Sequence, residues 1–333
     1  MPSKAKDDAA VGKADRRTFF ATLFAHGGAR VLSKVASAPL DRVKICLQVS
    51  PLAASGSPAG FGLGVPGLRV FRGILAEQGA LALWRGAGAH IAGTCLGGVV
   101  RLSVLRTSQM WAMPGGGHQY QGAGAFARRC AFLYAASAAA MALVFPLDVA
   151  YTCLAADSAQ PRRFRSALHF MRLARARHGV RSLYRGLPLC LGTAAPFVLV
   201  ASAVHDALAP LLLRRRGQAP AVDHQAVPGD PTRQVREGAL AHLYPWNLLV
   251  GGAAGFVAQS VTYPLDTARR RWQHGCTLEE VPASLRQCVV GIYEREGWRA
   301  FYAGYGVNAA KLLPELLVLS GAYLVINASG SFV

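Results

Sequence analysis

The stretches Ala38-Pro39-Leu40-Asp41-Arg42-Val43-Lys44, Phe145-Pro146-Leu147-Asp148-Val149-Ala150-Tyr151 and Tyr263-Pro264-Leu265-Asp266-Thr267-Ala268-Arg269 are one phrase written three times. Each runs Pro, one residue, Asp, two residues and a sixth position, which is Lys44, Tyr151 or Arg269. The prolines lie 107 and 118 residues apart. A second phrase follows each: Gly79, four residues and Trp84-Arg85-Gly86; Gly179, four residues and Tyr184-Arg185-Gly186; Gly297, four residues and Tyr302-Ala303-Gly304. Self-similarity at this scale constrains the chain to three copies of one supersecondary unit, each burying what its neighbour leaves open.

The medium around those units is set by polarity. Only 16% of the residues are charged and 52% are hydrophobic, with a mean hydropathy of +0.27. A soluble domain carries about 25% charged residues. Yet Lys and Arg outnumber Asp and Glu by 36 to 17. An apolar, basic chain fits a membrane protein that meets anionic lipid, such as cardiolipin, or an anionic solute. A nucleic-acid partner is not expected, because no zinc-finger, RRM or helix-turn-helix pattern accompanies the charge. The seven cysteines form no CxxC and the nine histidines no HExxH. Packed thiols are therefore expected rather than a disulfide framework, a metal site or a bound cofactor. Nothing in the sequence has the arrangement of an enzyme nucleophile or phosphate loop.

Residues 1–16 read as a polar tail without an apolar targeting core. Residues 17–115 form the first unit. An apolar run from Arg17 to Gln48 exceeds the ~20 residues that span a bilayer, and Pro39 is expected to kink it. Residues 68–78 have the mixed basic and apolar pattern of a helix lying on a membrane surface, and 87–105 make a second span. Residues 122–216 repeat this, with Phe126 to Ala156 broken at Pro146, a surface helix over 162–177 and a span over 187–213. Residues 217–240 are a polar linker. Residues 241–333 are the third unit: a span from Leu243 to Trp272, with Gly251 and Gly255 spaced for close helix approach, a surface helix over 279–295 and a span over 305–327. The expected fold is an all-α membrane protein. It has six transmembrane helices in three pseudo-symmetric repeats, plus three short surface helices.

Charges inside a transmembrane helix are costly and usually functional. Each Asp of the repeated phrase stands three positions before its sixth residue, on one face of a helix turn. In a threefold arrangement each Asp can pair with the cation of the next helix. The pairs close a pore, and a ligand that spreads the helices releases them.

The phrase Pro-x-Asp-x-x-[Lys/Arg], followed by an acid-Gly-x4-aromatic-[Lys/Arg]-Gly element, resembles the mitochondrial carrier family over essentially the whole chain after the tail. Within it, the resemblance is greatest to the ADP/ATP carriers, through Ser33 to Val49, Leu154-Ala155-Ala156-Asp157 and Tyr263 to Arg271. Trp272-Gln273-His274 stand where those carriers have three Met. The resemblance implies a six-helix bundle in the inner mitochondrial membrane that exchanges solutes by alternating access, and three surface helices on the matrix side.

It also implies roles. A matrix gate would use Asp41, Lys44, Asp148, Asp266 and Arg269, braced by Gln48 and Gln273. Tyr151 stands where a cation belongs and Ala155 where a brace belongs, so one pair is expected to be missing. On that ground Asp41→Asn is expected to matter less than Asp266→Asn. The second gate is reduced to Asp206. Substrate contact points fall at Gly93-Thr94, where the ADP/ATP carriers have Arg, at Thr193 and Ala194 with Phe197 one turn on, and at Lys311. Lys34, Arg101 and Lys311 would form a cluster for phosphate oxygens, with Arg269 and Arg270 deeper. Arg101 could equally pair with Asp206. Arg270 and Arg271 could equally face lipid headgroups. Arg30 occupies a small-residue position, so the first helix is expected to pack differently. The functional readings are an ADP/ATP exchanger and, alternatively, a degenerate carrier serving as an accessory subunit of a respiratory or ATP synthase complex. A carrier of another anion is a third.

Overall fold

The computed structural model describes residues 27–49, 65–112, 123–157, 163–214, 244–275 and 284–328. The expected tail and linker lie outside these, as does most of the Gly- and Pro-rich stretch after the first motif. The described residues are helical, with no strand among them. In chain order the elements are α1 (residues 27–49), α2 (Val65–Gln78), α3 (Ala87–Ala112), α4 (Ala123–Ala156), α5 (Ala167–His178), α6 (Leu187–Arg214), α7 (Tyr244–His274), α8 (Leu285–Glu296), α9 (Tyr305–Ala310) and α10 (Leu312–Ala328). Each unit is a long helix, a short helix, a 3-10 turn and a second long helix. The turns are Ala80–Trp84, Val180–Tyr184 and Trp298–Tyr302.

Local chemistry sets the ends of the short helices. Ser166 Oγ accepts from the His169 N–H and Ser284 Oγ from the Gln287 N–H, so each hydroxyl satisfies one orphan donor of a first turn. Gly179 and Gly297 end the same helices at φ 73° and 76°, and their N–H groups bond Arg175 O and Tyr293 O. A side chain resists that left-handed conformation.

Pro39, Pro146 and Pro264 all lie inside continuous helices. A proline in a helix leaves the carbonyl four residues earlier without its donor. For Pro39 that carbonyl is Val35, and Trp84 Nε1 donates to it at 2.9 Å. The aromatic of the second repeated phrase thus serves the proline of the first. The last long helix is interrupted at Lys311, between α9 and α10. Pro314 cannot donate to Ala310, yet Lys311 keeps helical backbone and the ladder continues past it, from Lys311 N–H to Val307 O and from Glu315 N–H to Lys311 O.

The second glycine of each turn shows how the units close on one another. A Cβ on Gly86 would lie 3.2 Å from Tyr151 O, and one on Gly186 would lie 3.5 Å from Arg269 Cγ. One on Gly304 would lie 3.2 Å from Lys44 O. Tyr151, Arg269 and Lys44 are the sixth positions of the three motifs. Unit one therefore seats on unit two, two on three, and three on one. All three glycines have positive φ, at 86°, 89° and 76°.

Two apolar clusters hold the short helices to the long ones. Val43, Ile74, Ala82, Leu83 and Val307 join α1, α2, the first turn and α9. Phe145, Val149, Phe170, Ala174 and Leu183 join α4, α5 and the second turn. Leu32, Leu96, Val99, Leu143, Leu199, Leu249, Val257, Val261, Leu313 and Leu317 are exposed along the long helices. So many bare aliphatic side chains on long helices suit a lipid solvent.

Among the described residues two stretches are long and apolar enough to cross a membrane by composition alone, Cys130–Ala156 and Val180–Leu208. Six spans were expected. α1 and α7 spend their inner turns on the charged motifs, and the last helix is broken at Lys311, so their composition reads as less apolar. The close approach expected at Gly251 and Gly255 is corrected: a Cβ at either would meet open space among the described residues. Gly252 is the glycine that faces another helix, with Leu316 Cδ2 3.4 Å from its ideal Cβ.

Gly86→Ala and Gly304→Ala should each lower stability by about 1–3 kcal/mol, through positive φ and a crowded neighbour. Gly255→Ala, in an uncrowded helix interior, should leave it unchanged or raise it by up to ~1 kcal/mol. Thermal unfolding of the detergent-solubilised protein checks the ordering.

Candidate functional site

Where α1, α4 and α7 converge, at the end of the bundle that carries the turns, their motif residues form a ring of buried charges. Lys44 Nζ of α1 lies 3.2 Å from Asp266 Oδ2 of α7. Arg269 Nη2 of α7 lies 3.3 Å from Asp148 Oδ2 of α4 and 3.6 Å from Asp266 Oδ1 of its own helix. These are the two pairs expected from each Asp reaching the cation of the next helix.

The glutamines brace them. Gln273 Nε2 donates to Asp148 Oδ2 at 2.8 Å, and its Oε1 accepts from Thr152 Oγ1 at 3.0 Å. Gln48 Nε2 donates to Asp266 Oδ2 at 3.4 Å and to Thr267 Oγ1 at 3.2 Å. Both glutamines are wholly buried. Ala155 has no side chain to brace with, but its carbonyl accepts from Arg42 Nε at 3.1 Å.

At the third position the ring departs from its own pattern. Tyr151 stacks on His90 of α3, with ring centroids 4.4 Å apart, and the Arg270 guanidinium lies 5.6 Å over the Tyr151 ring. Asp41 still has a cation. Lys311 Nζ, from the break between α9 and α10, donates to Asp41 Oδ1 at 3.0 Å. Ser37 Oγ adds a contact at 3.3 Å. The expectation that Asp41 lacks a partner is corrected, and the ground for expecting a weak effect of Asp41→Asn goes with it. The physical reason is reach: an even helix carries an ammonium to a place its own motif helix does not.

Arg270 and Arg271 are also corrected as headgroup ligands, because both turn inward. Arg270 Nη1 lies 3.3 Å from Asp148 Oδ1 and also bonds Thr152 Oγ1. Arg271 grips Glu296 with two nitrogens, at 2.5 and 2.8 Å, and its Nε donates to Gln48 O at 2.7 Å. A two-point Arg–carboxylate pair fixes orientation as well as charge, and this one ties the α7 end to α8 and α1.

Further buried cations clamp the turns. Arg42 also bonds Gln78 Oε1 at 2.7 Å and the Ala82 carbonyl. Arg85 pairs with Asp157 at 2.5 Å, and Arg185 packs over the Trp272 ring at 4.2 Å. Arg42 and Asp157 were not picked out as site residues. Neither belongs to the threefold pattern, so nothing in the repeat flagged them.

The remaining expected contact residues lie on stripes that rise from the ring. On α6, Cys190 accepts from Arg269 Nη1 at 2.7 Å. Ala194 and Phe197 stand four and seven residues on, hence on the same face. Phe197 is 38% exposed. Thr193 Oγ1 bonds back to Cys190 O at 2.7 Å. On α3, His90 in the ring is followed on one face by Thr94 and, eleven residues on, by half-buried Arg101, about 16 Å further along the axis. Gly93 is occupied by packing: a Cβ there would lie 2.8 Å from Val144 Cγ1. Lys34 Nζ pairs with Glu315 Oε1 at 2.9 Å, and Lys311 Nζ lies 3.8 Å from the same oxygen. Arg30 is exposed, and neighbouring Ala29 is buried in its place. His205 Nδ1 lies 3.4 Å from Asp206 Oδ1.

The sequence profile of the family described as mitochondrial carrier protein matches this chain three times, over residues 15–114, 124–216 and 242–329. The chain belongs to the mitochondrial carrier family. It is a solute transporter of that family, not an enzyme, and the three matches are its three units. Among similar proteins is solute carrier family 25 member 16 of Mus musculus, 29% identical, with 94% of this chain and 89% of that protein covered. A protein of Arabidopsis thaliana described as a probable ADP,ATP carrier protein is 31% identical, covering 80% of this chain and 76% of its own length. A mitochondrial coenzyme A transporter of Homo sapiens is 28% identical, covering 90% and 84%.

Gln273→Leu should cost about 1–3 kcal/mol, because it strips a donor from the Asp148 carboxylate in a site closed to water. Asp148→Asn and Gln273→Leu combined should cost less than their sum, since both act on one contact. Thermal unfolding of the single and double variants reads the coupling.

Proposed function

We propose that this carrier exchanges an adenine-nucleotide-type anion, ADP and ATP first, across the inner mitochondrial membrane, by alternating access. The charged ring would be its matrix gate. The observation that carries the reading is the ring itself: three carboxylates, each supplied with a cation from another helix, at the point where the three motif helices meet. Above it, Lys34, Lys311 and Arg101 line the way with cations, and Ala194 and Phe197 leave a small residue and an aromatic face on the α6 stripe. Phosphate oxygens match the first set, and an adenine ring matches the second. In this reading solute binding favours the occluded state, releases the ring on one side and lets the other side close.

The named solutes of the relatives narrow the choice. One is described as an ADP,ATP carrier and another as a coenzyme A transporter. Coenzyme A carries an adenosine diphosphate moiety, so the two solutes share the same recognisable half. The accessory-subunit reading drew on the cation missing at position 151, the reduced second gate and the Arg missing at Gly93-Thr94. Lys311 beside Asp41 answers the first of these, and on that ground the transport reading is preferred.

Reconstituted into liposomes, the protein should take up labelled ADP against internal ATP saturably, with coenzyme A tested in parallel. Asp266→Asn should cut the rate at least about tenfold, equivalent to ~1.4 kcal/mol on the barrier. Uptake of coenzyme A alone would reassign the solute. A folded protein that moves neither, and co-purifies with a respiratory or ATP synthase complex, would overturn the transport reading in favour of an accessory role.

A further inference from the structure

The third ring position holds a tyrosine, yet the ring is not short of a cation, and the replacement comes from an unexpected element. In the other two pairs both partners sit on motif helices: Lys44 with Asp266, and Arg269 with Asp148. In the third the ammonium belongs to Lys311, on the even helix of unit three. Its backbone is helical and bonded on both sides, to Val307 O and from Glu315 N–H, and Asn308 is buried on the preceding turn. Lys311 is also the point at which the stripe of cavity cations reaches the ring, through Glu315 to Lys34. One side chain therefore belongs both to the cluster suited to a solute phosphate and to the ring that blocks the path.

We propose that Lys311 supplies the gate cation that position 151 lacks, so that an anionic solute engaging Lys311 draws it from Asp41 and unlocks the third pair directly. The second half of this rests on the transport reading above; the first does not. A pair whose two partners both sit on motif helices separates as those helices move apart. Here one pair is released by competition between two anions for one ammonium. A ligand shifts a two-state equilibrium only by its differential affinity for the states. Lys311 provides such a difference, because it is free to bind a phosphate fully only when Asp41 has let go. Position 151 is then free to hold an aromatic that stacks on His90 and lies under the Arg270 guanidinium.

Thermal unfolding of the full chain in detergent tests the pair without any solute. Asp41→Asn and Lys311→Met should each lower the melting temperature by a few degrees, and the double variant should fall by clearly less than the sum. Adding Tyr151→Lys to Lys311→Met should recover most of the loss, since it restores the cation at the motif position. Additive losses, or no recovery by Tyr151→Lys, would overturn the assignment of Lys311 as the gate cation.

The coupling to solute is read with a single cysteine placed just beyond the ring, in a background that keeps the buried Cys153 and Cys190, which touch Gln273 and Arg269, and lacks the other native cysteines. In otherwise unaltered protein, ADP or coenzyme A should speed its labelling by a water-soluble maleimide several-fold. In Lys311→Met with Tyr151→Lys that acceleration should be lost while the melting temperature stays high. Equal acceleration in both proteins would overturn direct unlocking. No acceleration by either solute in the unaltered background, with the melting cycle intact, would sink the transport reading and leave the ion-pair assignment standing.

Discussion

Everything in this bundle bends around the cost of holding charge away from water. Of the ring residues Asp41, Lys44 and Arg269 are buried, and Asp148, Asp266, Arg270 and Lys311 are half-buried. Desolvating an ion costs several kcal/mol, and its partner repays this only with good geometry and filled hydrogen-bond sites. The structure meets both conditions by crowding. Asp148 has Arg269, Arg270 and Gln273; Asp266 has Lys44, Arg269, Arg270 and Gln48. The three turn glycines let the starts of the even helices approach the sixth positions of the motifs. Removing one member strands a charge away from water, so each pair is costly to break singly.

The same cost explains the Arg run on α7. Consecutive helical residues point about 100° apart, so Arg269 and Arg270 reach Asp148 and Asp266 from two sides while Arg271 turns elsewhere. Arg269 enters the ring and Arg270 lies across it to Asp148 under Tyr151. Arg271 leaves it for Glu296 and the end of α1. The last of these fastens the α7 end to the surface helix of its own unit. Arg42 and Arg85 do comparable work in unit one, through Gln78, Ala155 and Asp157. The turn end of the bundle is therefore riveted by guanidinium groups, whose five donors in a fixed plane suit several carbonyl and carboxylate partners at once.

Much of this was legible in the sequence because it is local. The motif spacing sets which face each Asp and cation share, and threefold recurrence predicts that Asp148 meets Arg269 and Asp266 meets Lys44. The helix–short helix–turn–helix order follows from the Gly and Pro punctuation. What could not be read depends on contacts between distant residues with no repeat to announce them. Lys311 is 270 residues from Asp41. Its reach is only visible once the helices are packed. The direction of Arg270 and Arg271 is likewise a matter of what each finds within reach, since spacing alone allows lipid or interior. Gly251 and Gly255 carry the spacing of a close-packed pair, but the crossing helix meets Gly252 instead, a difference of one residue that rotates the contact by ~100°.

The departure at position 151 is therefore better understood as a relocation than as erosion. Losing the cation outright would leave Asp41 buried and unpaired, a defect of several kcal/mol that would favour an open or unfolded bundle. The structure instead keeps the charge count of the ring and changes which helix provides it. That trade has a mechanical consequence. Two pairs join motif helices to one another, so they report only on the helices' separation. The third joins a motif helix to the even helix of unit three, and its cation also touches Glu315, which holds Lys34 on α1. Unit three is thus tied to unit one through a chain of alternating charges that continues from the ring into the space above it. The third pair, at 3.0 Å, is no longer than the two motif pairs at 3.2 and 3.3 Å. What sets it apart is that its cation is shared with the charges above the ring, through Glu315 to Lys34.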